Sequence, residues 1–311
     1  MTSTFVAYGL AIEAGFPLPG PVWSEGFAGA QPLALELTSP AALEAGWSGL
    51  AGPRPWRGRL GDGEELEIAR GRGDDLLFRY GKHADYHLDR DRSRLCCAPA
   101  DPAAAAWQRV LLTRVLPNVA IASGYEALHA GAVATDRGVV AIVAAAGAGK
   151  STLALELVRR GHPLFADDTV VLGPGWGGVE AHPAGPFMNL PAQSEPPPGE
   201  DLGLLAGERW VAVAGAARRP SRVAAIVLLE RGAGKLLGAW PLSGTPLTLA
   251  PFALGLPDDS GRDASRFELY ADLLEQAKLM RLTAGLGHRP ADLAEILERA
   301  LGLAPLVGET A

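Results

Sequence analysis

Cysteine is scarce in this chain: two residues in 311, adjacent at Cys96 and Cys97, offer neither a disulfide framework nor a metal site of workable spacing. Both thiols are expected to be plain side chains in a reducing compartment. Net positive charge is missing as well. At a formal charge of -7 there is no global attraction to nucleic acid or to an anionic lipid surface, and neither is expected as a partner. Long apolar runs are absent too, the longest (139–147) being too short and too rich in small residues to span a bilayer. The start of the chain lacks the basic, then apolar, pattern of a secretion signal and contains Glu13, so a cytoplasmic location is the default expectation. Of the six histidines only His83 and His87 are close in sequence, with no Cys or further His to complete a ligand set, and zinc is not indicated.

What is present is an ordinary globular composition, 48% hydrophobic and 20% charged, in a chain longer than one hydrophobic core usually absorbs. Two domains, or one large domain with an appended module, are expected. Over 1–100 the runs 5–12, 33–37, 65–69, 76–80 and 86–88 are strand-like and are separated by Gly, Pro and Asp clusters, which suggests a β-rich module. Over 101–123 the apolar residues Trp107, Val110, Leu111, Val115, Leu116 and Val119 return to one helix face, with Pro117 expected to end or kink the helix.

The remainder, 101–311, reads as an α/β domain. Strands at 129–134 and 139–144 meet in a hairpin at Asp136-Arg137-Gly138, and the second runs into a Gly-rich loop. A helix over 151–160 follows, stopped by Gly161, then a strand at 169–172. Residues 191–201, with Pro196-Pro197-Pro198-Gly199, read as an extended mobile loop. A strand at 223–229 and an amphipathic helix at 291–301 complete the pattern, and no solenoid or propeller repeat occurs.

The loop itself, Ala144-Ala145-Ala146-Gly147-Ala148-Gly149-Lys150-Ser151 followed by Thr152, fits the P-loop pattern with Ala where the first Gly commonly stands. Gly147 and Gly149 let the backbone turn its N–H groups inward, and the helix behind them presents its positive end to phosphate. Lys150 supplies a point charge to the β- and γ-phosphates, and the Ser151 hydroxyl can bind Mg²⁺. A nucleoside triphosphate with Mg²⁺ is the expected ligand, contacted by 146–152; its base is not readable from this motif.

Asp167 and Asp168 stand 16 and 17 residues after Ser151, at the end of an apolar run. One carboxylate there can hold Mg²⁺ and the other can take the proton of an attacking hydroxyl; a solvated turn is the better reading of an isolated Asp-Asp and the poorer one beside a P-loop. His129, 22 residues ahead of Ser151, can be carried back to the phosphate site by the hairpin or can serve only in packing.

Taken together, 128–133, 147–157 and 160–168 resemble the catalytic domain of HPr kinase/phosphorylase, with the match strongest over 128–172. The resemblance implies an HPr kinase-like P-loop core related to phosphoenolpyruvate carboxykinase, with ATP and Mg²⁺ used to phosphorylate a Ser hydroxyl. It places His129, Lys150, Asp167 and Asp168 around the transferred group, Ser151 and Asp167 on the metal, and Asp168 as proton acceptor. Ala144 and Ala146 depart from the family loop, and its later Glu signature has no clear counterpart, Glu180 being a weak substitute. Residues 181–190 and 8–19 look instead like a divergent group that includes peptide-tailoring serine kinases of lasso-peptide biosynthesis. A peptide or protein substrate with an acceptor Ser is the partner implied, with the β-rich module as a recognition surface. A nucleotide sensor without catalysis, a kinase of a small hydroxyl metabolite, and assembly into homo-oligomers stay open.

Overall fold

The computed structural model describes residues 3–20, 29–50, 52, 55–59, 65–205, 207–257 and 259–304. The chain divides into two compact units, Met1–Gly124 with Leu256–Asp258, and Tyr125–Gly255 with Asp259–Ala311. The helical segment after residue 100 therefore belongs with the first unit, not with the second as the sequence suggests.

In the first unit eight strands form one sheet: β1 (Ser3–Ala7), β2 (Leu10–Ala14), β3 (Gln31–Leu37), β4 (Trp56–Arg59), β5 (Glu65–Arg70), β6 (Leu76–Tyr80), β7 (Ala84–Leu88) and β8 (Arg94–Pro99). Their order is β1-β2-β3-β8-β7-β6-β5-β4, antiparallel except at β2/β3 and β3/β8. The run 5–12 is two strands and not one. Tyr8 and Gly9 both take positive φ (58° and 80°), the backbone of a two-residue hairpin turn whose twist matches that of the strands it joins. Strand β7 alternates buried residues (Ala84, Tyr86, Leu88) with half-buried ones (Asp85, His87). On the Asp85/His87 face α1 (Pro40–Ser48), which starts from a Ser39 cap, buries Leu43 and Trp47 against Ala69, Leu77 and Ala98.

The expected helix over 101–123 is three pieces: α2 (Ala105–Val110), a π-helical turn (Leu111–Val115) and α3 (Leu116–Ala122). Pro117 neither ends nor sharply breaks it. Proline has no N–H and crowds the carbonyl four residues back, and the wider turn just before it, with the Leu116 N–H bonded to Leu111 O, removes that conflict.

The second unit begins with β9 (Glu126–Thr135) and β10 (Gly138–Val143), an antiparallel hairpin, and continues through α4 (Lys150–Arg159), β11 (Leu164–Ala166), β12 (Thr169–Gly175) and β13 (Gly178–His182). Next come β14 (Phe187–Pro191), β15 (Gly199–Leu205), β16 (Glu208–Val213), β17 (Ser221–Arg231) and β18 (Gly238–Pro241). Helix α5 (Pro246–Leu249), β19 (Ala253–Leu254), α6 (Asp263–Gln276), β20 (Lys278–Ala284) and α7 (Pro290–Leu301) complete it. The main sheet runs β10-β9-β12-β13-β17-β20-β18, and because β10 also pairs β17, five of these strands close on themselves. Strand β10 is parallel to β17 but antiparallel to β9, and its residues Val139 to Val143 are at most 1% exposed, which is why it reads as an unbroken apolar run. A separate sheet, β14-β16-β15, takes up part of the expected loop 191–201: Gly199 to Asp201 pair with β16, leaving only 192–198 outside strands.

Two charged clusters fix the helices of this unit. Glu126, buried at the start of β9, accepts from Arg262 and from Arg266 of α6, both at 2.7 Å. Glu298 of α7 accepts a forked pair from Arg160 at 3.0 and 2.6 Å and meets His162 Nε2 at 3.0 Å, tying α7 to the end of α4. Among the described residues no helix is long and apolar enough to cross a membrane.

Candidate active site

The chain leaves β10 at Val143, turns through 144–149 and enters α4 at Lys150. Gly147 and Gly149 have φ of 75° and 97°, values that side chains strongly disfavour, and the Ala148 N–H donates to Ala145 O at 3.1 Å across the turn. Ala146 and Gly147 are exposed, Ala148 and Gly149 half-buried, and Thr152 faces outward on the first turn of α4. The result is an open backbone cradle at a helix N-terminus, a geometry suited to phosphate.

Lys150 does not project into water. It is 7% exposed, and its Nζ donates to His129 Nε2 at 3.0 Å. This fixes the imidazole. With Nε2 accepting, the proton sits on Nδ1, which donates to the Asp168 carbonyl at 3.0 Å and lies 3.3 Å from Asp168 Oδ1. His129 can stand there because β9 and β12 pair with His129 opposite Thr169, so the hairpin delivers it beside the residue that follows the Asp pair.

Asp168 has φ of 72°, and around it the Thr169 N–H closes a three-residue turn on Asp167 O at 2.9 Å. A non-glycine residue in this region stores strain, which Asp tolerates better than most. The turn points the two carboxylates differently. The Asp168 side chain is 24% exposed, whereas Asp167 is 9% exposed and its Oδ2 accepts from the Asn189 N–H at 2.9 Å. Burial, with the neighbouring Asp168 charge, lifts the Asp167 pKa from 3.8 to about 6; the Asn189 amide, the Ser151 hydroxyl and Lys150 act against that rise.

Thus His129, Lys150, Ser151, Asp167 and Asp168 converge at the mouth of the loop. Glu180 does not join them. It pairs with Gly173 and Arg222, at the end of the sheet away from Thr169. Two residues at the site escape the sequence reading. Asn189 lies in the segment 181–190, yet its amide contact with Asp167 depends on where β14 docks. Arg231 ends β17, and the only local sign of it is a charged residue after an apolar run.

The donor set suits Mg²⁺. Asp167 Oδ1 and Asn189 Oδ1 are buried oxygens without a hydrogen-bond partner in the structure, and Ser151 stands beside the Asp167 carboxyl group. Among the described residues no three His, Cys, Asp or Glu side chains form a metal cluster. Mg²⁺ ordinarily keeps water and phosphate oxygens with only one or two protein ligands, so two or three such oxygens suffice.

Scanned against models of protein families, the chain matches none, and a search of curated proteins likewise finds no match. Among solved structures, the Hpr(Ser) kinase/phosphatase from Coxiella burnetii is similar over 56% of this chain and 95% of that one, at 16% identity and a TM-score of 0.33. At that level of likeness the site stands on its own geometry. What fold and site define is a mixed α/β protein with a Gly-rich strand–loop–helix turn where a lysine, a histidine and two carboxylates meet.

Proposed function

We propose that the chain is an ATP-dependent kinase that transfers the γ-phosphoryl group to a serine hydroxyl of a peptide or protein. One observation carries this reading: the hydrogen-bonded chain from Lys150 Nζ through His129 to the Asp168 carbonyl, both steps 3.0 Å, with the Asp168 carboxylate 3.3 Å from the ring, at the rim of the glycine loop. The loop backbone and Lys150 hold the phosphates, and Ser151 and Asp167 hold Mg²⁺, which when bound neutralises charge on the phosphate oxygens. His129, accepting the Lys150 hydrogen bond at Nε2, orients the ammonium and steadies the Asp168 turn. Asp168, the more exposed of the two carboxylates, takes the proton of the acceptor hydroxyl as the new O–P bond forms and the bond to the departing ADP breaks.

The resemblance of 128–172 to HPr kinase supports phosphorylation of serine, and the divergent features at 8–19 and 181–190 favour a ribosomally made peptide precursor as acceptor, with the β-rich unit as its recognition surface. Incubation with γ-labelled ATP and peptides encoded beside the gene should give a phosphoserine product; free serine and polyols in the same assay test small-molecule acceptors. The position of Glu180, away from the loop, favours a second reading in which the protein senses nucleotide without transfer. Saturable ATP binding with no label passed to any acceptor would establish that alternative.

A further inference from the structure

Arg231 has no place in the scheme above, yet it stands beside the loop. Strand β17 runs parallel to β10 with Leu228 opposite Val143, the last residue of β10, so both strands end on the same side of the sheet and Arg231 follows three residues later. Its guanidinium is held from one edge. Nη2 donates to Gly285 O at 3.3 Å, Leu286 O at 3.1 Å and His288 O at 2.8 Å. Nη1 lies on the loop side, 3.7 Å from where a Cβ on Gly149 would stand. Nε is buried with no hydrogen-bond partner in the structure.

Arg262, Arg266 and Arg160 each meet a carboxylate. Arg231 meets only neutral carbonyls. A partly buried guanidinium with Nη2 locked by three carbonyls and Nη1 without a hydrogen bond is a preorganised donor lacking its anion. The anion its position admits is phosphate, since Nη1 faces a loop whose backbone geometry suits phosphate.

We propose that Arg231 is a phosphate-binding residue: its Nη1 edge receives a phosphate group of the nucleoside triphosphate held by the loop, and its Nη2 edge anchors segment 285–288 at the same time. The proposal rests on the nucleotide-binding part of the function above.

The test is displacement of a fluorescent ATP analogue by inorganic tripolyphosphate, with Mg²⁺, from the full chain and its variants. Arg231→Gln should weaken tripolyphosphate binding by about 10- to 100-fold, the loss of one or two charged hydrogen bonds, and Arg231→Lys should fall between Gln and wild type. A control separates contact with phosphate from positioning of the segment: His288→Ala removes the Gly285 N–H to His288 Nδ1 bond of 3.0 Å, loosens 285–288 and leaves the charge in place. It should bind tripolyphosphate as wild type does. Equal affinity of wild type and Arg231→Gln overturns the proposal, and so does an equal loss in His288→Ala. Should Arg231→Gln not fold, phenylglyoxal labelling of Arg231 in the wild type, read by mass spectrometry, replaces it: tripolyphosphate must protect the residue, and unchanged labelling overturns the assignment. A folded wild type that binds neither analogue nor tripolyphosphate removes the nucleotide reading itself, and this proposal with it.

Discussion

Asp167 is ionised at neutral pH in a place that resists its charge, and the nucleotide-free protein bears that cost alone. Its pKa is lifted from 3.8 to about 6 by burial and by Asp168. For an acid, a folded pKa above the unfolded one means that the unfolded chain loses its proton first, so stability falls as pH rises through that interval. At about 1.4 kcal/mol per pH unit the penalty is absent below pH 3.8 and reaches about 3 kcal/mol above pH 6. Asp167→Asn removes the charge and keeps an oxygen for the Asn189 N–H. We expect the variant to be more stable than wild type by up to about 3 kcal/mol at pH 7.5, or about 6–12 °C in melting temperature, with the gain shrinking to about 1 kcal/mol at pH 4.5. Urea unfolding of the nucleotide-free protein at the two pH values measures this. On addition of ATP and Mg²⁺ the order should reverse, because the wild type gains stability from ligand and the variant, lacking its metal oxygen, gains little. A variant no more stable than wild type at pH 7.5, or a gain that does not change with pH, would refute the argument.

Lys150→Ala should abolish labelled-phosphate transfer and weaken binding of the fluorescent ATP analogue. Asp168→Asn should retain nucleotide affinity but lose about 10²-fold or more in turnover, read by single-turnover transfer; wild-type turnover would remove Asp168 from the role of proton acceptor. Glu126→Gln leaves two arginines facing a neutral acceptor in a buried position. It should cost about 2–4 kcal/mol in urea unfolding of the second unit with no change in nucleotide affinity, and a loss below about 1 kcal/mol would mean that water already screens the cluster.

Much of the second unit could be read ahead because its signals are local. The hairpin 126–143, the loop, α4 and the Asp pair succeed one another along the chain, and the β9/β12 register then sets His129 opposite Thr169, beside the Asp pair. In the first unit the runs 33–37, 65–69 and 76–80 are strands because their apolar content is local as well. The failures have non-local causes. The turn at Tyr8-Gly9 needs a tyrosine at positive φ, which no propensity suggests. The continuation of helix past Pro117 needs a π turn before it, and the strand at Gly199 exists only because β16 offers an edge to it. Asn189 and Arg231 reach the site through sheet registers joining residues far apart in sequence, information that composition and spacing do not carry.

The left-handed backbone at Asp168 also limits what can be learned from replacing it. Its carbonyl serves both the His129 ring and the Ala130 N–H, so a residue that cannot hold φ near 72° would shift the imidazole, the hairpin and the neighbouring carboxylate together. Alanine and glutamate scans at this codon would report collapse of a bend. Asparagine, which tolerates the bend, is the replacement that isolates the acid, and glycine keeps the bend while removing the whole side chain.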